Sequence, residues 1–217
     1  MSHKWLTFLT LGFLTIVVLL FFWIRIQPIE VDREQIAAQY EDVSEPTVTF
    51  VNPAKGAEQP AVTIIEYSDF QCSACVSISS SLDIVLATYP DYVRVIWKDL
   101  PNESIHELST PAAIAAHCAD RQGMFWSYHD ELFQRQSYLS ETEFTQIATD
   151  LELDVEKFQN CYDTRDTLPI VKKDFDEAMG LELTSTPTMY INDEIYIGAV
   201  SFEELLDIVA DQLSVIE

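Results

Sequence analysis

Positive charge is scarce in this chain: Lys and Arg total 12 against 36 Asp and Glu, for a formal net charge of -24. That shortage argues against a nucleic-acid ligand, because gripping a phosphate backbone takes a cluster or stripe of basic side chains. A surface this acidic is solvated and self-repelling, which favours solubility. There is no internal repeat and no long low-complexity run. Cysteine is sparse too, with only Cys72, Cys75, Cys118 and Cys161. A zinc site needs a second clustered pair of ligands. Cys118 and Cys161 lie far apart, and His106, His117 and His129 complete no ligand pattern with them. No metal site is expected.

What is present is enough to fold. Of 217 residues, 48% are hydrophobic and 12% aromatic, so a buried core is available and global disorder is disfavoured. The cysteine count is even, with none left over. Four cysteines allow three pairings, and spacing alone does not choose among them. If Cys72 and Cys75 pair locally, Cys118 and Cys161 remain for each other, a pattern that suits an oxidising compartment.

From Trp5 to Ile24 runs an apolar stretch broken only by Thr7, Thr10, Thr15 and Gly12. At about 20 residues it is long enough to span a bilayer as a helix. A cleaved signal peptide has a shorter apolar region and a small-residue cleavage site. Here Ile24, Arg25, Ile26, Gln27 and Pro28 follow instead, so an uncleaved anchor is the expectation. Residues 1–26 are therefore read as a cytoplasmic tip and transmembrane anchor, and 27–58 as a stalk or linker. The polar, acidic part of that stalk runs to about Glu45, where Pro46 ends it. Residues 59–217 are read as the folded domain. Lys4 before the span and Arg25 and Arg33 after it do not decide orientation. The cysteine chemistry does, and it places the large domain outside the cytoplasm.

Within the domain, Val62 to Tyr67 is β-rich and reads as a strand. A helix is expected from Cys72 to about Thr88, with Val76, Ile78, Leu82 and Val85 as its apolar face. Tyr92 to Trp97 reads as a second strand. From about 104 to 183 the pattern turns helical. Candidate helices there are Pro111 to Arg121, Met124 to Gln136, Glu141 to Leu151, Val155 to Tyr162 and Leu168 to Met179, with Gly180 as the last one's stop. Two strands, Thr188 to Ile191 and Glu194 to Ile197, follow around the turn Asn192-Asp193. A final amphipathic helix, Phe202 to Leu213, has Ser201 as its N-cap. The order implies an α/β sandwich with a helical insertion.

Two cysteines spaced by three at a helix N-terminus carry a specific chemistry. The thiolate is the nucleophile in disulfide exchange. Unpaired N–H groups and the positive end of the helix dipole favour that anion. Cys72 would be the exposed, attacking sulfur and Cys75 the recessed, resolving one. Inert core cysteines and a zinc half-site are the competing readings of the same spacing.

The segment Ser68-Asp69-Phe70-Gln71-Cys72-Ser73-Ala74-Cys75, with Thr184-Ser185-Thr186-Pro187-Thr188-Met189-Tyr190-Ile191-Asn192 downstream, resembles the DsbA-like thioredoxin-fold family. Its membrane-anchored extracytoplasmic branch is the most similar. Ala115-Ala116-His117-Cys118-Ala119, Gln122-Gly123-Met124-Phe125-Trp126 and His129-Asp130-Glu131-Leu132-Phe133 support the match, which covers about residues 60 to 215. The resemblance implies a thioredoxin fold with a helical insertion, preceded by one N-terminal transmembrane helix. It implies catalytic Cys72 and Cys75, and a cis Pro187 that borders a peptide-binding groove together with Thr186. It also places Glu66, six residues before Cys72, where the family often carries a buried acid. A carboxylate there would take the proton of Cys75. A solvated Glu66 is the alternative, and Lys98 on the next strand is a weaker candidate to neutralise it.

Ser73 stands where Pro is common in the family. Ser73 and Ala74 tune the redox poise and add neither charge nor imidazole, which points to a less extreme oxidant. In relatives with the extra pair, Cys118 and Cys161 form a second disulfide away from the active site, more structural than regulatory. Closing about 44 residues would stabilise by roughly 4 kcal/mol. His129 is expected to pack beside Trp126 and Phe133. The implied activity is an extracytoplasmic oxidase acting on reduced or unfolded secreted proteins. It uses no cofactor beyond its own disulfide, is anchored in the cell membrane by a single span and is recycled by a membrane redox partner. A reductase or isomerase kept reduced by such a partner is the alternative. A non-catalytic peptide-binding or chaperone module is the third reading.

Overall fold

The strand Val62–Ser68 (β2) is buried at every residue but the half-buried Thr63, as a strand covered on both faces must be. The computed structural model describes Phe13, Thr15, Ile16 and residues 44–214, and places β2 at the centre of a five-stranded sheet in the order Ala54–Gly56 (β1), Val93–Asp99 (β3), β2, Thr188–Ile191 (β4), Glu194–Ile197 (β5). The helix Ser73–Thr88 (α1) carries the chain from β2 to Val93–Asp99 (β3), which pairs parallel to it. Parallel neighbours need a crossover of this kind. Thr188–Ile191 (β4) pairs antiparallel to β2 on its other side, and Glu194–Ile197 (β5) completes a hairpin with β4. Asn192 makes that turn at a left-handed φ of 48°, a conformation that Asn tolerates. Its side chain accepts from the Thr63 amide (2.9 Å) and donates to Gln212 (2.9 Å), tying the hairpin to β2 and the last helix.

Period-two alternation sorts β2 between two cores. Val62 and Ile64 meet Ile78, Leu82 and Val85 of α1, together with Leu205 and Val209 of the final helix Phe202–Ser214 (α7). Ile65 and Tyr67 face the other way, toward Ala178 and Leu183. Ser201 caps α7 by accepting from the Glu204 amide at 3.1 Å.

Between β3 and β4 stand five helices: Ser109–Asp120 (α2), Phe125–Gln134 (α3), Glu141–Asp150 (α4), Val155–Asp163 (α5) and Leu168–Gly180 (α6). Their own core holds Tyr128, Leu132, Phe144, Ile147 and Phe158, and it runs on to Phe70, Cys75 and Trp97 beside the sheet. Cys118 of α2 and Cys161 of α5 are joined by a disulfide.

Four expectations are revised. The stalk does not reach residue 58: Ala54–Gly56 (β1) pairs antiparallel with β3, and the Trp97 amide donates to Pro53 O at 2.9 Å. Upstream of β1, Thr47 N and Oγ1 bond Glu177 Oε2 and buried Asn52 donates to Asp174. A three-residue strand is too short to show periodicity, but it covers the edge of β3. α6 does end on Gly180, but as its last helical residue and not as the left-handed residue beyond it, which is Glu182, at φ 57°. The helix expected from Met124 to Gln136 ends at Gln134, and Gln136–Tyr138 forms a separate 3₁₀ turn. Lys98 points away from Glu66, with Nζ bonding Asp174 (3.0 Å) and Glu177 (2.8 Å). The cause is the one-residue offset, which puts Lys98 on the opposite face of the sheet. Among the described residues no helix is long and apolar enough to cross a membrane. Apart from Phe13, Thr15 and Ile16, the expected anchor lies outside the described residues, as does most of its stalk.

Candidate active site

β2 ends at Ser68, and residues 69–72 turn the chain into α1. Cys72 is the N-cap of α1, at φ −78° and ψ 119°, with no side-chain cap of its own. The exposed backbone N–H groups of the first turn therefore face its sulfur. Cys72 and Cys75 are both free thiols. Cys72 keeps 8% of its surface exposed and Cys75 none, so only the first sulfur meets solvent.

Their electrostatics diverge accordingly. A hydrogen bond from Cys75, aided by Thr186 and the backbone amides of Ala74 and Cys75, pushes the Cys72 thiol down to about 5 against the penalty of burial. Burial, and its donation to Cys72, push Cys75 far up. The thiol of Cys72 lies 3.4 Å from the carbonyl oxygen of Thr186, the residue before the cis Pro187. Ser73 is exposed and Ala74 half-buried on the rim of the pair.

Glu66 lies one strand layer behind, in register with Trp97 on β3 and Met189 on β4. It is buried, not solvated, and its Oε1 has no hydrogen-bond partner among the described residues. Burial lifts its carboxyl to about 7, with Ser68 and Lys55 pulling the other way. Glu66 also raises Cys75, so the two groups compete for negative charge.

Four groups escaped the sequence reading. The Asp69 carboxylate accepts from the Gln71 amide (2.8 Å) and the Asn102 amide (3.0 Å) and pairs with His106 Nδ1 (2.8 Å). Gln71 Oε1 accepts from the Leu108 amide at 2.6 Å. Gln136 Nε2 donates to the carbonyls of Phe70 (2.9 Å) and Cys72 (3.0 Å). Lys55 lies 4.4 Å over the Trp126 ring and pairs with Asp83. Pairings this distant in the chain leave no periodic signal in the sequence. His129 packs as expected, its ring edge-on to Trp97 (4.9 Å) and Phe133 (4.8 Å), and burial lowers its basicity.

The thioredoxin family model matches residues 50–211. A crystal structure of a thioredoxin-like oxidoreductase from Silicibacter pomeroyi superposes with a TM-score of 0.67 at 25% identity, covering 76% of this chain and 94% of that one. The thiol-disulfide exchange protein alpha-DsbA2 from Wolbachia pipientis shares the fold, with a TM-score of 0.68 at 18% identity over 82% of this chain and 95% of that one. Among curated proteins, a Na(+)/H(+) antiporter NhaA 3 from Salinispora tropica is 31% identical over 151 residues, 70% of this chain. The match spans only 23% of that antiporter's length.

Proposed function

The chain belongs to the thioredoxin family, and on that premise we propose that it is a thiol–disulfide oxidoreductase that donates its Cys72–Cys75 disulfide to secreted proteins. The observation that carries this reading is the asymmetry of the pair: one sulfur held as a thiolate at a helix N-terminus, the other held protonated behind it.

The cycle follows from those two sulfurs. A substrate thiolate attacks Sγ of Cys72 in the oxidised pair, the Cys72–Cys75 bond breaks, and Cys75 leaves. Glu66, with a carboxyl near pH 7, supplies its proton. A second substrate thiolate then attacks the substrate sulfur of the mixed disulfide and expels Cys72. The substrate loses two electrons and two protons, and the protein ends as the dithiol. A leaving thiol of low pKa departs faster, so the depressed Cys72 favours this direction. The half-buried Thr186 beside buried Pro187 offers main chain to an extended client next to the reacting sulfur.

The dithiol product needs an oxidant, and a membrane redox partner fills that role. The apolar stretch Trp5 to Ile24 anchors the domain on the outer side of the cell membrane, where the Cys118–Cys161 disulfide is at home. No cofactor beyond the pair itself takes part. The reduction potential tests the direction: a value toward about −120 mV supports the oxidase, and one near −270 mV makes it a reductase. Protease accessibility on intact cells tests the placement, and a protected domain overturns it.

A further inference from the structure

The turn that presents Cys72 is held from outside its own sheet, and each of its four residues is tethered to the helical insertion. Asp69 is tied to Asn102 and His106, and Gln71 to the Leu108 amide. Phe70 and Cys72 are tied through their carbonyls to the single amide nitrogen of Gln136. A primary amide carries two N–H donors, one for each carbonyl. The Cys72 carbonyl also accepts the first bond of α1, from the Cys75 amide at 3.1 Å. Its orientation therefore sets where the N-cap sulfur points.

The donor is delivered by a rigid element. Gln136 opens the 3₁₀ turn Gln136–Tyr138, and Arg135 before it grips Glu131 (2.7 Å), Glu143 (2.6 Å) and Asp150 (2.8 Å). That grip joins α3 to α4 directly beneath the turn. Stacking of Phe70 on Trp97 at 4.6 Å holds the other end of the segment.

We propose that Gln136 is a positioning residue for Cys72, acting through the Phe70 and Cys72 carbonyls to keep the sulfur at the N–H groups of the first turn of α1. The inference rests on the reading of Cys72 as the reactive thiol, and it locates part of that reactivity in the insertion, not in the residues between the cysteines. Without the clamp the Cys72 carbonyl keeps only its bond from the Cys75 amide, the sulfur is held less well against its N–H donors, and the thiolate is less favoured.

The test is Gln136→Met in the full chain, which keeps the side-chain length and removes both donors. The readouts are the pH dependence of Cys72 alkylation in the reduced protein, the exchange equilibrium with glutathione, and the thermal midpoint. The expected result is a thiolate at least about threefold less favoured, an upward shift of about half a pH unit in the alkylation midpoint. The exchange equilibrium moves toward the disulfide by the same factor. An unchanged midpoint and equilibrium, with only the thermal midpoint lowered, reduces Gln136 to a structural strut and overturns the proposal. If the Met variant does not fold, Gln136→Asn, one methylene too short to reach both carbonyls, is read the same way: a shift supports the proposal and no shift overturns it. These readouts need no client protein, so failure of the wild-type chain to catalyse refolding counts against the proposed function alone.

Discussion

The thiol of Cys72 meets the carbonyl oxygen of Thr186 at 3.4 Å, across 114 positions of sequence. The contact exists because β2 and β4 are neighbours in the sheet, so the turn after β2 and the turn before β4 open at the same edge. It joins the nucleophile to the place where a client's main chain would pair.

Replacing Cys72 with Ser removes the attacking sulfur, and accelerated oxidative refolding of a reduced client is expected to vanish. Cys75→Ser leaves the attacker without its resolving partner, so a Cys72 mixed disulfide with the client should accumulate. Non-reducing gels read both, and a Cys72→Ser protein that still speeds refolding defeats the assignment.

The depressed Cys72 thiol also makes the stability of the reduced protein depend on pH. Its folded value is about 5, below the ordinary thiol value of 9.0. Stabilisation from this group is therefore complete above the unfolded value and is lost as pH falls through the folded one. Reduced wild type compared with reduced Cys72→Ser in urea should show an advantage that shrinks from pH 8 to pH 5. An advantage that grows toward pH 5 contradicts the assignment of the low value to Cys72.

Glu66 behaves in the opposite sense. A carboxyl raised from 4.5 to about 7 costs stability as pH rises through that window. Glu66→Gln should match wild type near pH 4 and exceed it above pH 7, by up to about 3 kcal/mol. The same variant should slow the release of Cys75 and lose any rate dependence centred near pH 7. Equal unfolding curves at pH 8 would show that the carboxyl is not buried as charge.

Lys98 stands fully buried between Asp174 and Glu177, which also takes the Tyr67 hydroxyl at 2.5 Å. Lys98→Met leaves two carboxylates enclosed without their cation and should cost about 3–5 kcal/mol. Chemical denaturation measures it, and a loss under 1 kcal/mol would mean that water reaches the pair.

Replacing both Cys118 and Cys161 with Ala opens a loop of 43 positions and should lower stability by about 4 kcal/mol. A structural bridge leaves the Cys72–Cys75 reduction potential where it was. A potential that moves with the bridge would make it regulatory.

Local patterning made much of this molecule legible. The strand–CxxC–helix unit, the β4–β5 hairpin and the capped final helix all follow from residues a few positions apart, where periodicity and capping act. Ala54–Gly56 escaped because three residues show no period, and their strand character comes from the edge of β3. The true partners of Lys98 are not legible either, because the sequence shows its strand but not the α6 carboxylates waiting on the other face.

By itself the chain's order of residues determined the chemistry available: two thiols at a helix start, a carboxyl on the strand before them, and a Thr-Pro pair far downstream. Tertiary structure alone decided how those groups behave. Burial, not the identity of Glu66, lifts its carboxyl toward neutrality, since the desolvation of a charge depends on what surrounds it. The hold of Gln136 on the Cys72 carbonyl is likewise absent from any local pattern. It arises only when the insertion folds back against the turn, because a hydrogen bond of 3.0 Å depends on distance in space and not on separation along the chain.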